Sequence, residues 1–146
     1  MTKYLALYQD SLQKLAKALE YLRYSYKKVE HLPTDPKLLD PETLEVWESF
    51  CARFSRVTDL FLMRVVRSHV QHTDPGFQGT LRDYVNQGEK LGLVDNADLW
   101  MDMRELRNIS AHEYNDQGLT QFLQTLRTQC PHLLALQKII DRASQT

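Results

Sequence analysis

The sequence predicts an all-α protein, an up-and-down bundle of about five helices. Apolar residues recur at intervals of three and four along most of the chain, which is the period of amphipathic helices. No segment shows the alternation of apolar and polar residues, followed by a tight turn, that is typical of hairpin strands. With 146 residues, 42% of them hydrophobic, and no internal repeat, the chain is expected to form one helical domain over residues 1–146.

A long first helix is predicted over residues 5–29. Its seam follows spacings of 3, 4, 3, 4, 3, 4 and 3 and consists of Leu5, Tyr8, Leu12, Leu15, Leu19, Leu22, Tyr26 and Val29. Three of the five prolines come next, and each lacks the N–H group that helical bonding needs: Pro33, Pro36 and Pro41. We therefore expect a short crossing loop after the first helix.

A second helix is predicted to begin at Pro41, with Asp40 as its N-cap, and to continue to about His69. Between residues 57 and 66 this helix is apolar on nearly every side. Such a segment is typical of the central helix of a bundle or of one half of a dimer interface. A turn over residues 72–76, which contains a proline and a glycine, ends the helix.

Two shorter helices are expected next, each opened by a capping pattern. Thr80 followed by Asp83 resembles a capping box and predicts a helix through Leu91. Asp95 with Asp98 repeats the spacing and is expected to open a fourth helix. The apolar positions of that fourth helix include Leu99, Met103, Leu106 and Ile109.

The fourth helix is expected to end at residues 115–118, where Gly118 would adopt the left-handed conformation of a helix stop. A final helix carries the apolar residues Phe122, Leu126, Leu133, Leu134, Ile139 and Ile140. Pro131 falls inside this helix, so we expect it either to kink the helix or to start a second segment.

The charge and cysteine content exclude several classes of protein. The 18 basic and 19 acidic residues give a net charge of -1, so any contact with nucleic acid must be local. The two cysteines, Cys51 and Cys130, form no close pair, which argues against a zinc knuckle and a disulfide scaffold. We expect no metal and no cofactor. No stretch has the length of a signal peptide or membrane span, so a cytoplasmic protein is predicted.

Polar residues that suit acid–base chemistry gather near the end of the fourth helix: Arg107, Asn108, His112 and Tyr114. An arginine followed five positions later by a histidine is a poor signal alone, because three further pairs share that spacing: Arg64–His69, Arg67–His72 and Arg127–His132. The pair Arg107–His112 differs because Asn108 directly follows the arginine and Tyr114 lies two positions after the histidine. Imidazole exchanges protons near neutral pH, and guanidinium presents a fork to phosphate oxygens.

With these residues the sequence resembles the HEPN superfamily, whose members carry an arginine, a polar residue and then a histidine. It is most similar to the HEPN proteins that are paired with a minimal nucleotidyltransferase (MNT), in which the pattern extends to histidine-x-tyrosine. Residues 107–114, RNISAHEY, match that longer form in full. Residues 89–93, EKLGL, and Trp100 give weaker support upstream.

The resemblance implies an all-helical homodimer that cleaves RNA, such as tRNA or mRNA, without a metal ion, as the toxin of a toxin–antitoxin pair. His112 would be the general acid or base, and Arg107 would hold the phosphate. Asn108 would orient the histidine or a phosphate oxygen. Tyr114 would accept AMP groups that the MNT antitoxin transfers from ATP, and this modification would silence the ribonuclease.

Helix geometry places a constraint on the motif. At about 100° per residue, Asn108 and His112 lie about 40° apart, whereas Arg107 lies about 140° from His112. A straight isolated helix would therefore separate the arginine from the histidine. Either the helix ends near His112, or the site combines residues from two subunits.

The local charge around the motif is unfavourable for a polyanion. Residues 95–116 contain six acids and two arginines. By contrast, residues 1–31 contain six bases and three acids, and residues 53–72 contain four arginines and one acid. If those helices border the motif, they would supply a positive rim.

Three functions remain open from the sequence. The first is the toxin ribonuclease. The second is an adaptor that resembles the nucleotidyltransferase substrate-binding proteins and has little nuclease activity of its own. The third is a helical interaction module without chemistry, for which the seam of the first helix is the evidence.

Overall fold

Helices account for all the regular secondary structure of residues 2–106 and 116–145, which the computed structural model of the protein describes. The expected all-α bundle is confirmed. The described chain forms five α-helical or π-helical units over residues 3–29, 41–73, 81–90, 97–106 and 116–144, the last of them divided in two, and a short 3-10 helix at Pro36–Leu38.

Helix α1 spans Lys3–Val29, and the predicted seam of this helix faces the core. Its N-cap is Thr2, whose Oγ1 accepts a hydrogen bond of 3.2 Å from the backbone N of Leu5. Five residues of the seam are buried (Leu12, Leu15, Leu19, Leu22 and Val29), and Leu5, Tyr8 and Tyr26 are half-buried. The period of three and four in the sequence therefore gave the correct buried face.

A second long helical run lies against α1 and consists of three segments. Helix α2 spans Pro41–Leu60, a π-helical segment spans Phe61–Val66, and α3 spans Arg67–Thr73. The prediction for the start is confirmed: Pro41 is in the first turn, and Asp40 Oδ1 accepts a 2.8 Å hydrogen bond from the N of Thr43.

The π-helical segment lies at the centre of the bundle. Phe61, Leu62, Val65 and Val66 are fully buried, whereas Met63 and Arg64 are exposed. The segment packs against α1 and α4 as well as against its own neighbours in the run. Of the two interpretations of this apolar stretch, burial inside the chain supports the central helix.

Helix α4 spans Leu81–Lys90 and begins with the predicted capping box. Asp83 N donates to Thr80 Oγ1 at 3.2 Å, and Thr80 N donates to Asp83 Oδ2 at 2.8 Å. Inside α4, Gly88 lies against the π-helical segment. A Cβ atom at this position would be 2.8 Å from Val66 Cγ1 and 3.0 Å from Val94 Cγ2, so the packing requires a glycine.

Helix α5 spans Ala97–Leu106, and here the predicted cap is wrong by one residue. Asn96, not Asp95, caps the helix, since its Oδ1 accepts a 3.1 Å hydrogen bond from Leu99 N. Asp95 is engaged elsewhere: its Oδ1 accepts a 3.0 Å hydrogen bond from Trp100 Nε1. A tertiary contact therefore decides which of the two neighbouring side chains becomes the cap.

The last two helices are α6, Asp116–Leu134, and α7, Gln137–Ser144. Gly118 is not a helix stop, because it lies in the first turn of α6 and positive φ among the described residues occurs only at Gly92. Glycine adopts negative φ about as readily as positive φ, so it also fits the right-handed first turn of a helix. The helix also continues through Pro131 to Leu134, and the second predicted segment begins at Gln137, after the break.

The core lies between α1, the α2–α3 run and α6. Its largest fully buried side chains are aromatic: Trp47, Trp100, Phe50, Phe54 and Phe61. None of the described helices combines the length and the apolar character needed to cross a membrane.

Candidate functional site

The predicted site residues Arg107, Asn108, His112 and Tyr114, together with Ile109 of the fourth predicted helix, lie outside the described residues. The structure describes both helices that flank them, α5 on the N-terminal side and α6 on the C-terminal side. The contacts of these two helices fix the chain on both sides of the motif in the sequence.

Trp100 anchors α5 in the core. Its ring centroid is 4.6 Å from that of Phe61 and 5.2 Å from that of His132, and its side chain is almost fully buried. The indole Nε1 donates to Asp95, so the one polar atom of the side chain is also satisfied. This single residue connects α5 to the π-helical segment and to α6.

The chain that leads into α5 is fixed by two further residues. Glu89 Oε2 accepts a 2.7 Å hydrogen bond from Ala97 N, one of the first N–H groups of α5 that have no partner within the helix. Gly92 has a φ of 79°, a conformation that favours glycine, and it allows the chain to turn after α4. Glu89, Gly92 and Trp100 belong to the segments that supported the resemblance, and the structure gives each of them a role in positioning α5.

The start of α6 is bound to the loop that follows α1. Thr120 Oγ1 donates a 3.0 Å hydrogen bond to the carbonyl oxygen of Thr34, and Gln124 Nε2 donates a 3.2 Å hydrogen bond to Thr34 Oγ1. Thr34 is buried, so these bonds satisfy polar groups that have little access to water. The proline-containing loop is therefore held against α6.

Arg127 reinforces the same contact one turn further along α6. Its Nη1 donates to the carbonyl oxygens of Val29 at 2.8 Å and of Leu32 at 2.7 Å. The guanidinium also lies over the ring of Trp47, 5.3 Å from its centroid. Sequence analysis noticed Arg127 only as a member of an arginine–histidine pair, and no local pattern could have revealed its distant acceptors.

The partner of Arg127 in that pair, His132, has a separate role. Its ring packs on Trp100, and its Nε2 lies 3.4 Å from Asp95 Oδ1. The side chains of Arg127 and His132 therefore hold different parts of the bundle together, and this pair forms no common site.

The pair Arg64–His69 is also divided between two environments. Arg64 is exposed, whereas His69 is half-buried with its ring centroid 5.0 Å from that of Tyr8. Burial lowers the pKa of His69, and the nearby His72 lowers it further. His69 is thus stabilised in its neutral form as a packing residue.

In the remaining alternative pair, Arg67–His72, the two side chains also have different neighbours. The guanidinium of Arg67 lies 5.1 Å from the ring centroid of Tyr84, and His72 Nδ1 is 3.3 Å from Thr2 Oγ1. In none of the three pairs that share the spacing of Arg107–His112 do the arginine and the histidine therefore meet in a common site: the histidines contact other parts of the bundle, and Arg64 is exposed. Among the residues that the structure describes, no group of three or more potential metal ligands is found.

The geometry defines an all-helical bundle in which two anchored helices flank the segment that carries the arginine, histidine and tyrosine motif. A family model described as "nucleotidyltransferase substrate binding protein like" matches residues 4–142, nearly the whole chain. The chain belongs to this family, whose fold is HEPN-like. Neither a curated protein nor a solved structure matches the chain. The name of the family associates the protein with a nucleotidyltransferase.

Proposed function

We propose that this protein is the partner and the substrate of a small nucleotidyltransferase, and that Tyr114 accepts the transferred adenylyl group. The observation that carries the proposal is the family match over residues 4–142, because the family name connects such chains with nucleotidyltransferases. Tyr114 is the residue of the motif whose phenol oxygen suits adenylyl transfer.

The transfer is a substitution at phosphorus. The phenol oxygen of Tyr114 forms a bond to the α-phosphorus of ATP, and the bond from that phosphorus to the bridging oxygen of the β-phosphate breaks. Pyrophosphate leaves with the electron pair, and the phenol proton passes to a base of the transferase or to water. The product carries added bulk and negative charge on a residue of the same motif as Arg107 and His112, and this charge opposes the binding of another phosphate by them.

The anchors of α5 and α6 support this proposal. A transferase that modifies a motif residue also binds the protein around that residue, and two fixed flanking helices offer it a defined surface. Trp100 fixes α5 on one side of the segment, and Arg127 fixes α6 on the other. These contacts hold both ends of the motif segment without using any residue of the motif.

The test is intact-mass spectrometry after incubation with a purified minimal nucleotidyltransferase and ATP. We expect the wild-type chain to gain adenylyl groups and Tyr114→Phe to gain none. Tyr24→Phe is the matched control, because it removes the phenol of a tyrosine that is 58% exposed on α1. Adenylylation of Tyr114→Phe at the wild-type level would refute Tyr114 as the acceptor. A wild-type chain that neither binds the transferase nor is modified would support the interaction module instead.

The motif favours a second candidate function, cleavage of RNA without a metal ion by a homodimer, with the transferase as antitoxin. In that reaction a ribose 2′-oxygen attacks the adjacent phosphorus, the bond to the 5′-oxygen breaks, and a cyclic phosphate forms. His112 transfers the proton, Arg107 holds the phosphate charge, and Asn108 orients the histidine. The observation behind this candidate is the complete match of residues 107–114 to the longer motif.

Cleavage of total RNA and of tRNA in excess EDTA tests the second function, with light scattering to establish the dimer. We expect fragments with cyclic phosphate ends from wild type and none from His112→Ala. His31→Ala is the control, because the His31 side chain is 92% exposed in the loop after α1. Equal cleavage by His112→Ala, or none by unmodified wild type, would exclude the ribonuclease and leave the substrate-binding partner.

A further inference from the structure

A line of cavities with four arginines runs along the α2–α3 side of the bundle. Four cavities of about 180–480 Å³ follow one another, and each shares an arginine with the next: Arg53, then Arg56, then Arg64. Helix α1 forms the opposite wall of three of them. We name this surface the arginine groove and define it by Tyr21, Tyr24, Arg53, Arg56, Arg64 and Arg67. Two acidic residues, Glu42 and Glu45, also line the cavity at its Tyr24 end, so the positive charge is concentrated away from that end.

At one end of the groove, cations and aromatic rings are already arranged against each other. Arg53 Nη1 donates to Ser25 Oγ at 2.8 Å and to the carbonyl oxygen of Tyr21 at 3.2 Å. Its guanidinium lies 5.4 Å from the ring centroid of Tyr21 and 6.0 Å from that of Tyr24, and Lys28 Nζ is 4.7 Å from the latter. The two tyrosines are 46% and 58% exposed, so their rings remain accessible.

The middle of the groove is positively charged. Arg56, Arg64 and Arg67 are all exposed there. Of the acidic residues beside them, Asp10 is bonded to Lys14 at 2.9 Å, and Asp59 is half-buried and has interactions of its own. The excess of arginine that the sequence shows over residues 53–72 is therefore gathered on one surface.

The length of the groove favours an extended ligand. Its α1 wall reaches from Leu7 to Tyr24, which corresponds to about 26 Å at the rise of an α-helix. A single phosphate or nucleotide would occupy only a fraction of that distance. OB-folds that bind single-stranded nucleic acids accommodate about 4–16 nucleotides each, using a cationic groove and aromatic rings on which bases stack.

We propose that the arginine groove binds single-stranded nucleic acid. The backbone phosphates lie along Arg56, Arg64 and Arg67, whose guanidinium groups donate to phosphate oxygens. Bases stack on Tyr21 and Tyr24. The exposed rings beside the cations favour nucleic acid over an acidic protein surface, because every base offers a flat face for stacking. This inference goes beyond both proposed functions, since adenylylation of Tyr114 requires no nucleic acid and none of the residues that define the groove belongs to the motif at residues 107–114.

Fluorescence anisotropy with a labelled oligo(dT) of about 12 nucleotides tests the proposal, because DNA lacks the 2′-hydroxyl and is not cleaved. The groove variant is Arg56→Glu with Arg64→Glu. The control is Lys138→Glu with Arg142→Glu, which changes the net charge equally at exposed positions of α7, around a different cavity. We expect the Kd to rise about tenfold or more in the groove variant and less than about twofold in the control.

Two further measurements separate phosphate contacts from base stacking. The slope of log K against log salt concentration should be smaller in magnitude by about 1.4 in the groove variant. Each phosphate contact contributes about 0.7 to this slope, and the variant removes two. Tyr24→Ala should weaken binding about fivefold or more, whereas Tyr24→Phe, which keeps the ring, should bind like wild type. Circular dichroism confirms that each variant is folded.

Equal weakening in the groove and control variants would overturn the proposal, because it would show a response to net charge alone. Failure of the wild-type chain to bind oligo(dT) at about 50 mM salt would also overturn it. Binding of polyglutamate in that case would identify an acidic protein as the partner of the groove. None of these outcomes affects the adenylylation assay, so the two proposals fail separately.

Discussion

Replacement of Arg127 by methionine tests the contact that anchors α6 beside the motif segment. Methionine matches the aliphatic stem of arginine, but it cannot donate to the carbonyl oxygens of Val29 and Leu32 and lacks the guanidinium that lies over Trp47. The variant thus removes both hydrogen bonds and the cation–π contact while it keeps an apolar stem of similar shape. We expect a large loss of stability for a single substitution.

The magnitude follows from the two bonds. A hydrogen bond to a charged group contributes about 1.5–3 kcal/mol, and Arg127 makes two such bonds at 2.8 and 2.7 Å. Water can reach part of this region, because the neighbouring His31 is exposed, and it replaces some of the lost bonding. The free energy of unfolding should therefore fall by about 2–4 kcal/mol.

Urea denaturation followed by circular dichroism measures this change. With a slope of about 2 kcal/mol per molar urea, the midpoint for Arg127→Met should fall by about 1–2 M. Arg142→Met is the control, because Arg142 is exposed on α7 and should change stability by less than about 0.5 kcal/mol. If both variants unfold at the wild-type midpoint, Arg127 does not stabilise the fold in the way described.

Three further predictions concern other parts of the fold. Thr80→Ala should lower the free energy of unfolding by about 1 kcal/mol through loss of the capping box, whereas Thr80→Ser keeps the hydroxyl and should be as stable as wild type. Thermal denaturation measures both variants. Gly88→Ala should lower the free energy of unfolding by about 1–3 kcal/mol in urea denaturation, since its Cβ would collide with Val66. Gly76→Ala should be near neutral, because its Cβ would make only an ordinary contact of 3.7 Å with Asp74 Oδ1. Burial raises the pKa of the Cys130 thiol to about 12, so iodoacetamide should alkylate it slowly at pH 8 in the folded protein and rapidly in urea, as read by mass spectrometry. Because the pKa of Cys130 in the folded protein lies above the ordinary value of 9.0, the free energy of unfolding should fall as the pH rises from about 9 towards 12. Fast alkylation of the folded protein would contradict the raised pKa, and so would a free energy of unfolding that is constant over this pH range.

Several elements of the fold were predictable because their causes are local. The seam of α1 depends on residues one helical turn apart, and its period can be read directly from the sequence. The caps at Asp40 and Thr80 each involve a residue three positions away. Interactions of such short range are visible in a single sequence.

The errors arose where distant residues compete with local ones. Aspartate is a common N-cap residue, but the carboxylate of Asp95 accepts a hydrogen bond from Trp100. Asn96 therefore caps α5 instead. Glycine often ends a helix, yet Gly118 lies in the first turn of α6. The π-helical turn at Phe61–Val66 has no periodic signal of its own, because its apolar residues also fit an α-helix.

For the candidate site, too, part of the description came from the sequence and part from the tertiary structure. Arg107, His112 and Tyr114 were predicted as site residues from the order of residues 107–114 and from the resemblance that this order carries, and both are properties of the sequence. Only the tertiary structure showed that the arginines and histidines of the three competing pairs pack against other helices or lie at the surface. Sequence by itself determined the helical fold and the residues of the motif, since periodicity and spacing are properties of the chain. The anchors of α5 and α6 and the arginine groove were decided by the tertiary structure, because each depends on contacts between residues that are far apart in sequence.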